Sequence, residues 1–572
     1  MIWLRMSAVA RRAEPTGRTH WTVDNGPAWG QTAHHAMNMH LHSQRLVFPL
    51  VTGGMAMLIL LLAAPASGAD GRELGDLKIA PARVPNWMPG VDGGISQVAS
   101  KIDARQAGCA GDGTHDDLPA LQKAVDSVDR PGAVFLPAGT YLIRGELKLP
   151  SGVVLRGAGP EATRLIVENP KASTAAIKLR GGYEGKEIAL AGGVVAGSTN
   201  LTLAIDAKPS VGQYLDLRCD NDPKVMYTRS EWDADWAKAS VGQVVRVKAL
   251  AGRLVTLDRP VRLEYRAEMN PRIQPLRMVE RAGVEDLSIR RANDTETFII
   301  EMWCAADCWV RNIHSVYCYR AHVWTSLVRG VTVRDSVMHH AWDYGGNGHG
   351  YGVVAGTHAT DCLVENNTFF HVRHAMMTKE GANGNVFGYN ASFLNYAHEG
   401  ARSYGRLCDI SQHGHFSYMN LFEGNVVQYV VFSDYWGPTG PQSTCYRNRV
   451  MDRGEWGPRG GIEVKEYSHT QNVMANTLLV GGIAVEANCR EVWVEKNLFV
   501  KSAATGQDAL TVGPGRTGWT LPASLYLAGK PAWWGDRPWP GIGADVDRAA
   551  LAEGRDFSAI PAEKRYPCGL EK

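Results

Sequence analysis

The sequence predicts an all-β fold: a right-handed parallel β-helix, or solenoid, with an N-terminal capping helix and an inserted antiparallel β subdomain. Two observations predict the solenoid. From Val284 onward the segments VEDLSI, VRNIHSV, VRDSVM, VENNTF, FGYNASF, FEGNVV, YRNRVM, VMANTL and VEKNLF recur with irregular insertions between them. Within them asparagine returns in one column, at Asn367, Asn390, Asn425, Asn476 and Asn497. The intervals are 23, 35, 51 and 21 residues, so the longest spans two turns, with Arg449 filling the column between. A period of this size is one coil of a stacked β solenoid. Asparagine at a tight bend tolerates unusual backbone angles, and stacked amides bond to one another along the axis.

The elements follow in chain order. Residues 1–36 read as an over-extended start, with Met37 or Met39 the true initiator. Residues 37–69 carry a secretory signal pattern: Arg45, an uncharged run from Leu46 to Ala69, and small Ser67-Gly68-Ala69 before Asp70. An uncleaved anchor is the rival reading, since the run is nearly long enough to span. In either case the body leaves the cytoplasm, and after cleavage no stable membrane span remains. Residues 70–199 form the N-terminal cap and first coils. There Asp116 or Asp117 can cap a helix that places Leu118, Leu121, Val125 and Val128 on one face. Residues 200–265 alternate apolar and polar side chains around turns, as half-buried antiparallel strands do. This insert can overhang the solenoid, and Tyr227, Trp232 and Trp236 serve either its own core or ring stacking. Residues 266–502 are the main solenoid. Residues 503–572, with Trp533, Trp534 and Trp539, form a C-terminal cap over an otherwise open end.

Composition narrows the partners. A net charge of +2 with no basic block argues against nucleic acid, which requires concentrated Lys and Arg. Ten cysteines in 572 residues are not a disulfide scaffold; buried thiols or one local bridge suit them better. Cys304 and Cys308 lack the second close pair that a metal knuckle needs.

The segment Gly111-Asp112-Gly113, Asp116-Asp117, a helix, and then Pro137-Ala138-Gly139-Thr140-Tyr141 resembles the entry signature of the pectate-lyase-like superfamily of β-helix proteins. The resemblance covers about eighty residues and implies a β-helix whose first turns this segment opens. It also implies that Asp112, Asp116 and Asp117 are structural.

The later strand of each coil aligns as FIIEMW, AHVWTS, GVVAGT, AMMTKEG, VVFSDYW, GIEVKEYS and GIAVEAN. Alternate residues face outward, and coils stack ~4.8 Å apart, so one column becomes a continuous ridge. Its outward end collects ionisable and aromatic residues suited to sugars, which present both apolar faces and hydroxyls. The expected substrate is a polysaccharide. Six residues are candidates for catalysis: Lys379, Arg402, Asp409, His413, Asp434 and Glu466. Asp343, His349, Glu380, His398, Glu399, His415, Tyr435, Trp436, Lys465 and Tyr467 are candidates for substrate binding. In a β-elimination of a uronate polymer, Lys379 is the base, made easier to discharge by Arg402 and the histidines, and His413 or Arg402 neutralises the carboxylate. The superfamily resemblance implies Lys or Arg in such a role and, in some members, calcium held by acids, so Ca2+ is the candidate cofactor. No metal ligands are assigned. A hydrolase would instead pair carboxylates among Asp409, Asp434 and Glu466. A non-catalytic glycan-binding surface protein is the third reading.

Overall fold

The computed structural model describes residues 74–171, 173–207, 209–226, 233–346, 348–398, 407–433, 436–451, 461–499, 519–545 and 560–565. The proposed upstream extension and signal peptide lie outside them. So do Tyr227, Trp232, Glu399, Arg402, Asp434 and Tyr435. Among the described residues no helix is long and apolar enough to cross a membrane.

The chain winds as a parallel β-helix with three faces. Strands of the first face include Leu363–Glu365, Val386–Gly388, Leu421–Glu423, Thr444–Tyr446 and Asn472–Met474. Those of the second include Thr368–Phe370, Ala391–Phe393, Val426–Val427, Arg449–Val450 and Thr477–Leu478. The long strands Gly283–Arg291 and Trp309–Cys318 run through both faces and join them into one sheet. The third face is a separate parallel sheet: Leu147–Lys148, Ala175–Arg180, Phe298–Trp303, Ala321–Ser326, Tyr351–Ala355, His374–Thr378, Ile410–Gln412, Tyr429–Phe432, Gly461–Val464 and Gly482–Val485. Seven of these ten are the later strands the sequence alignment picks out; Leu147–Lys148, Ala175–Arg180 and Ile410–Gln412 are not among them. Ile300, Val323, Val353, Met376, Ile410, Val430, Ile462 and Ile483 are successive register partners pointing into the core.

The asparagine column is an amide ladder at the bend between the first two faces. Asn367, Asn390, Asn425, Asn448, Asn476 and Asn497 are fully buried. From Asn390 onward each Oδ1 accepts from the backbone N–H and the Nδ2 of the asparagine one coil earlier, at 2.9–3.0 Å. The position between Asn425 and Asn476 therefore belongs to Asn448, and Arg449 is the next residue, paired with Val426 and Thr477 in the second face. The bend's left-handed residue is also not the ladder asparagine but the one before it: Asn366, Tyr389, Gly424, Arg447, Ala475 and Lys496 all have positive φ. Asparagine is there to satisfy buried amides, which are costly to leave unpaired. A second ladder, Asn385, Asn420, Ser443 and Gln471, runs ahead of the first face.

The helix Leu118–Ser127 buries Leu121, Ala124 and Val125 against the first coils. Asp116 accepts the Leu118 N–H at 3.1 Å, while Asp117 turns back to the Ala110 and Gly111 amides. Both carboxylates are structural. The inserted antiparallel sheet is wider than 200–265: Gly182–Tyr183, Ile188–Ala189 and Arg272–Arg277 belong to it, since all three join the ladder beside Tyr214–Cys219. It docks on the main helix through His358 and Asp216 (2.6 Å), Arg329 and Asp258 (2.6 Å), and the Tyr418 hydroxyl donating to the Gly242 carbonyl (2.7 Å). The nine described cysteines are free thiols, eight of them buried.

The chain's own ends cover two faces. Residues from Leu74 onward run along the first: Leu77, Ile79 and Trp87 pack on Val386, Leu421, Tyr446 and Met474. The described tail residues do not close an open end of the solenoid. Instead Trp533, Trp534 and Trp539 cover Phe370, Tyr389, Phe393 and Val426 on the second face, because those outward side chains are apolar and need burial.

Candidate functional site

The third face, unlike the first and second, has neither described end of the chain packed along it. Its hydrogen-bond ladder continues one residue past each strand, so Lys379, His413, Ser433 and Lys465 donate their backbone N–H groups to Ala355, Thr378, Gln412 and Phe432. These residues form one column, a coil step of ~4.8 Å apart. The Lys379 ammonium lies 2.7 Å from Glu380. It sits 4.3 Å from the Trp236 ring centre and 5.4 Å from that of Trp324. Such cation–ring contacts are worth ~0.5–2 kcal/mol depending on desolvation. Trp436 stacks parallel to His413 at 6.4 Å, and Trp236 meets His415 edge-on at 4.4 Å. Burial, reinforced by the Lys379 and Arg373 charges, holds the His413 imidazole well below its usual range, so it is neutral at physiological pH. Lys379 is thus a fixed cation between rings, and His413 is a neutral proton acceptor beside it. Trp236 comes from the insert, which overhangs this end of the face.

A second group lies at the opposite end of the same strands. His349 bridges Asp343 at 2.9 Å and Glu296 at 3.3 Å, and His398 reaches Asp343 at 3.3 Å. Burial raises the Asp343 carboxyl, but the Gly345 amide and both histidines outweigh it and hold the group below its usual range. Further along the first edge, Lys465 pairs with Glu463 at 3.0 Å, the Glu466 backbone amide donates to Glu486, and Tyr467 lies edge-on to His469.

Asp409 requires correction. Its side chain has no exposure; it accepts from the Ser392 hydroxyl and from the Gln428 and Tyr429 amides, at 2.5, 2.8 and 2.9 Å. It precedes its strand rather than following it, so it faces the bend of the next coil and satisfies amides there. The face is also not an open trough throughout. The outward residues Val354, Met377, Ser411 and Val431 are buried, as are Glu380, His349 and His415. Trp324 was missed as a site residue, although its outward phase in AHVWTS marks it.

Among the described residues no group of three or more His, Cys, Asp and Glu could hold a metal ion. Three acids of this face are matched to bases: Glu380 to Lys379, Glu463 to Lys465 and Asp343 to His349. Carboxylates paired in this way do not fit calcium, which takes about six to eight oxygen ligands.

Residues 102–210 match the model of the family described as rhamnogalacturonase A/epimerase, pectate lyase-like. Over those residues the chain is a pectate-lyase-like β-helix. They are its cap, its first coils and the start of its insert. They exclude the Lys379 column. Over 58 residues the chain is 40% identical to the pre-neck appendage protein of Bacillus phage phi29 and to that of Bacillus phage PZA. The match spans 10% of this chain and 6% of each of those proteins. The tailspike protein gp49 from Pseudomonas phage LKA1 is similar at 14% identity, over 70% of this chain and 78% of that one, with a TM-score of 0.48. For the A-module of the Azotobacter vinelandii mannuronan C-5 epimerase AlgE6 the values are 13%, 70%, 100% and 0.36.

Proposed function

We propose that the third face binds an acidic polysaccharide and that the protein, acting outside the cytoplasm, cleaves it by β-elimination beside Lys379 and His413. The observation that carries this reading is a caged ammonium one coil step from a neutral imidazole. Elimination needs that pair: a cation to hold the uronate carboxylate and stabilise charge as the α-proton leaves, and a base to take that proton. The roles are exchanged relative to the sequence expectation, because the Lys379 ammonium, paired with Glu380 and faced by two rings, is held in place as a partner for a carboxylate. The imidazole takes the proton at C5, the C–H electrons form the C4–C5 double bond, and the C4–O4 bond breaks. The imidazolium returns the proton to the departing oxygen, a syn course that one group can serve. Trp236, Trp324 and Trp436 supply faces for pyranose rings. The family match over residues 102–210 supports a carbohydrate substrate. A hydrolytic carboxylate pair loses one member with Asp409 buried.

The test is incubation of the purified protein with a panel of uronate-rich and neutral polysaccharides. The expected result is near-ultraviolet absorbance from unsaturated ends on a uronate polymer, reduced roughly 10²-fold or more in His413→Ala. New reducing ends without absorbance would replace the reading with hydrolysis. Saturable binding with no new ends would make it a glycan-binding surface protein.

A further inference from the structure

Away from the Lys379 column, a cavity of about 590 Å³ opens where the first coils meet the last strand of the insert. Arg130, Lys148, Lys178, Arg180 and Arg277 line it, against Asp126 and Glu146. Two of the five cations are balanced: Lys178 lies 2.7 Å from Glu146, and Arg180 lies 2.9 Å from Glu301, over the Trp303 ring. Asp126 accepts from the Gln122 amide at 3.0 Å. Arg130, Lys148 and Arg277 pair with no carboxylate among the described residues and are exposed. Five cations face the carboxylates of Asp126, Glu146 and Glu301, an excess of two positive charges around one concavity, so the cavity favours negative charge.

The strand register indicates which anion. Lys148, Lys178, Glu301 and Trp324 are successive partners along the third face. In the cavity, Lys178 therefore lies two coil steps and Lys148 three, ~10–14 Å, from the Trp324 position, whose ring faces Lys379. We infer that this cavity is a remote subsite for a carboxylate- or sulfate-bearing sugar unit of a polymer lying along the third face. Its identity as a saccharide subsite rests on the function proposed above; its affinity for an anion does not.

Calorimetric titration of the full chain tests this with acidic oligosaccharides of about ten units from three chemistries: oligogalacturonate, oligomannuronate and chondroitin sulfate. The methyl ester of the oligogalacturonate is the neutral control. At least one acidic oligomer should bind, and Arg130→Gln combined with Arg277→Gln should weaken it roughly tenfold while leaving the methyl ester and the melting temperature unchanged. Lys148→Gln alone should weaken it less. If no acidic oligomer binds, or if the double variant binds as the wild type does or loses the ester equally, the inference falls. Arginine-dependent binding of an acidic oligomer in a wild-type protein that cleaves nothing would leave the anion subsite standing and overturn the proposed reaction instead.

Discussion

Replacing Asn448 with alanine removes an amide that ties three coils together. Its Nδ2 donates to the Phe422 carbonyl at 2.8 Å and to Asn476 Oδ1 at 3.0 Å, and its Oδ1 accepts the Asn425 backbone N–H at 3.0 Å and Asn425 Nδ2 at 2.9 Å. Asn476 Oδ1 keeps the Asn448 backbone N–H at 2.9 Å, so it remains partly satisfied. The Asn425 backbone N–H loses its acceptor outright, while Asn425 Nδ2 keeps only the Phe387 carbonyl at 2.8 Å, and the residue is fully buried. A stranded buried group costs ~1–3 kcal/mol and a lost hydrogen bond ~1 kcal/mol, which places the loss at ~2–4 kcal/mol for one side chain. Urea unfolding followed by tryptophan fluorescence measures it directly. Asn448→Asp, which keeps an acceptor but loses both donations and adds a buried charge, should lose more. A loss below ~1 kcal/mol would refute the reasoning, because it would mean that asparagine serves only the bend, and Arg447 holds the bend's left-handed position.

Three further outcomes are expected. Burial depresses His322 to about 3, His339 to about 2 and His340 to about 4, the latter two with help from neighbouring imidazoles. Between those values and about 6.5 the unfolded chain binds more protons than the fold, so stability should fall as pH drops below about 6.5. Glu365 and Glu423, pushed up to about 7 by burial, act in the opposite sense, and their contribution declines as pH rises from 4.5 toward 7. Melting temperatures across pH 4–8 should therefore show an acid limb that His339→Phe flattens; an unchanged limb in that variant would discount the imidazole cluster. Trp236→Ala should weaken saccharide binding severalfold with little change in melting temperature, since the ring is 43% exposed; unchanged affinity in titrations would remove the insert from the site. Asp409→Ala should lower stability by ~2–4 kcal/mol in urea, by stranding the Gln428 and Tyr429 amides. Normal stability with lost turnover would restore it to the chemistry.

The solenoid was legible because its repeat is imposed by backbone geometry: a strand pointing side chains alternately in and out, stacked on its neighbours, leaves a pattern that sequence preserves. Seven of the ten third-face strands were aligned for that reason, while Ile410–Gln412, which lies between two of them, was passed over. The Arg449 assignment failed by one residue because a bend needs two specialised positions, a left-handed one and an amide-bonding one, and only the second is asparagine throughout. Asp409 failed for a related reason. A carboxylate just before a strand and one just after it look alike in sequence, yet the first faces a buried bend and the second an outward column. The tail tryptophans were assigned to an end because a solenoid's open end is the generic need. The specific need, apolar Phe370, Tyr389 and Phe393 facing outward, becomes visible only once the second face is placed.

The proposal that the third face carries function draws on what covers the others. A three-sided solenoid offers three sheets of similar shape, and each is a candidate platform. Here the N-terminal stretch buries its own leucines and Trp87 along the first face, with the Trp87 indole donating to the Met419 carbonyl at 2.8 Å. The tail fixes itself over the second through Arg447 with Asp545 at 2.7 Å and Arg449 with Glu563 at 2.6 Å. Those contacts are buried and specific, so freeing either face for a polymer would first require stripping off an end of the chain. The third face instead meets the insert, and it does so at the edge where Lys379 and His413 stand one coil apart. An insert anchored by the buried His358–Asp216 pair and by Arg329, itself buried, reaching Asp258 is held in place beside a charged column, which under the proposed function would orient a long, flexible substrate. If the insert served only its own folding, Trp236 would gain nothing by reaching out to the ammonium of Lys379 while staying partly exposed to solvent.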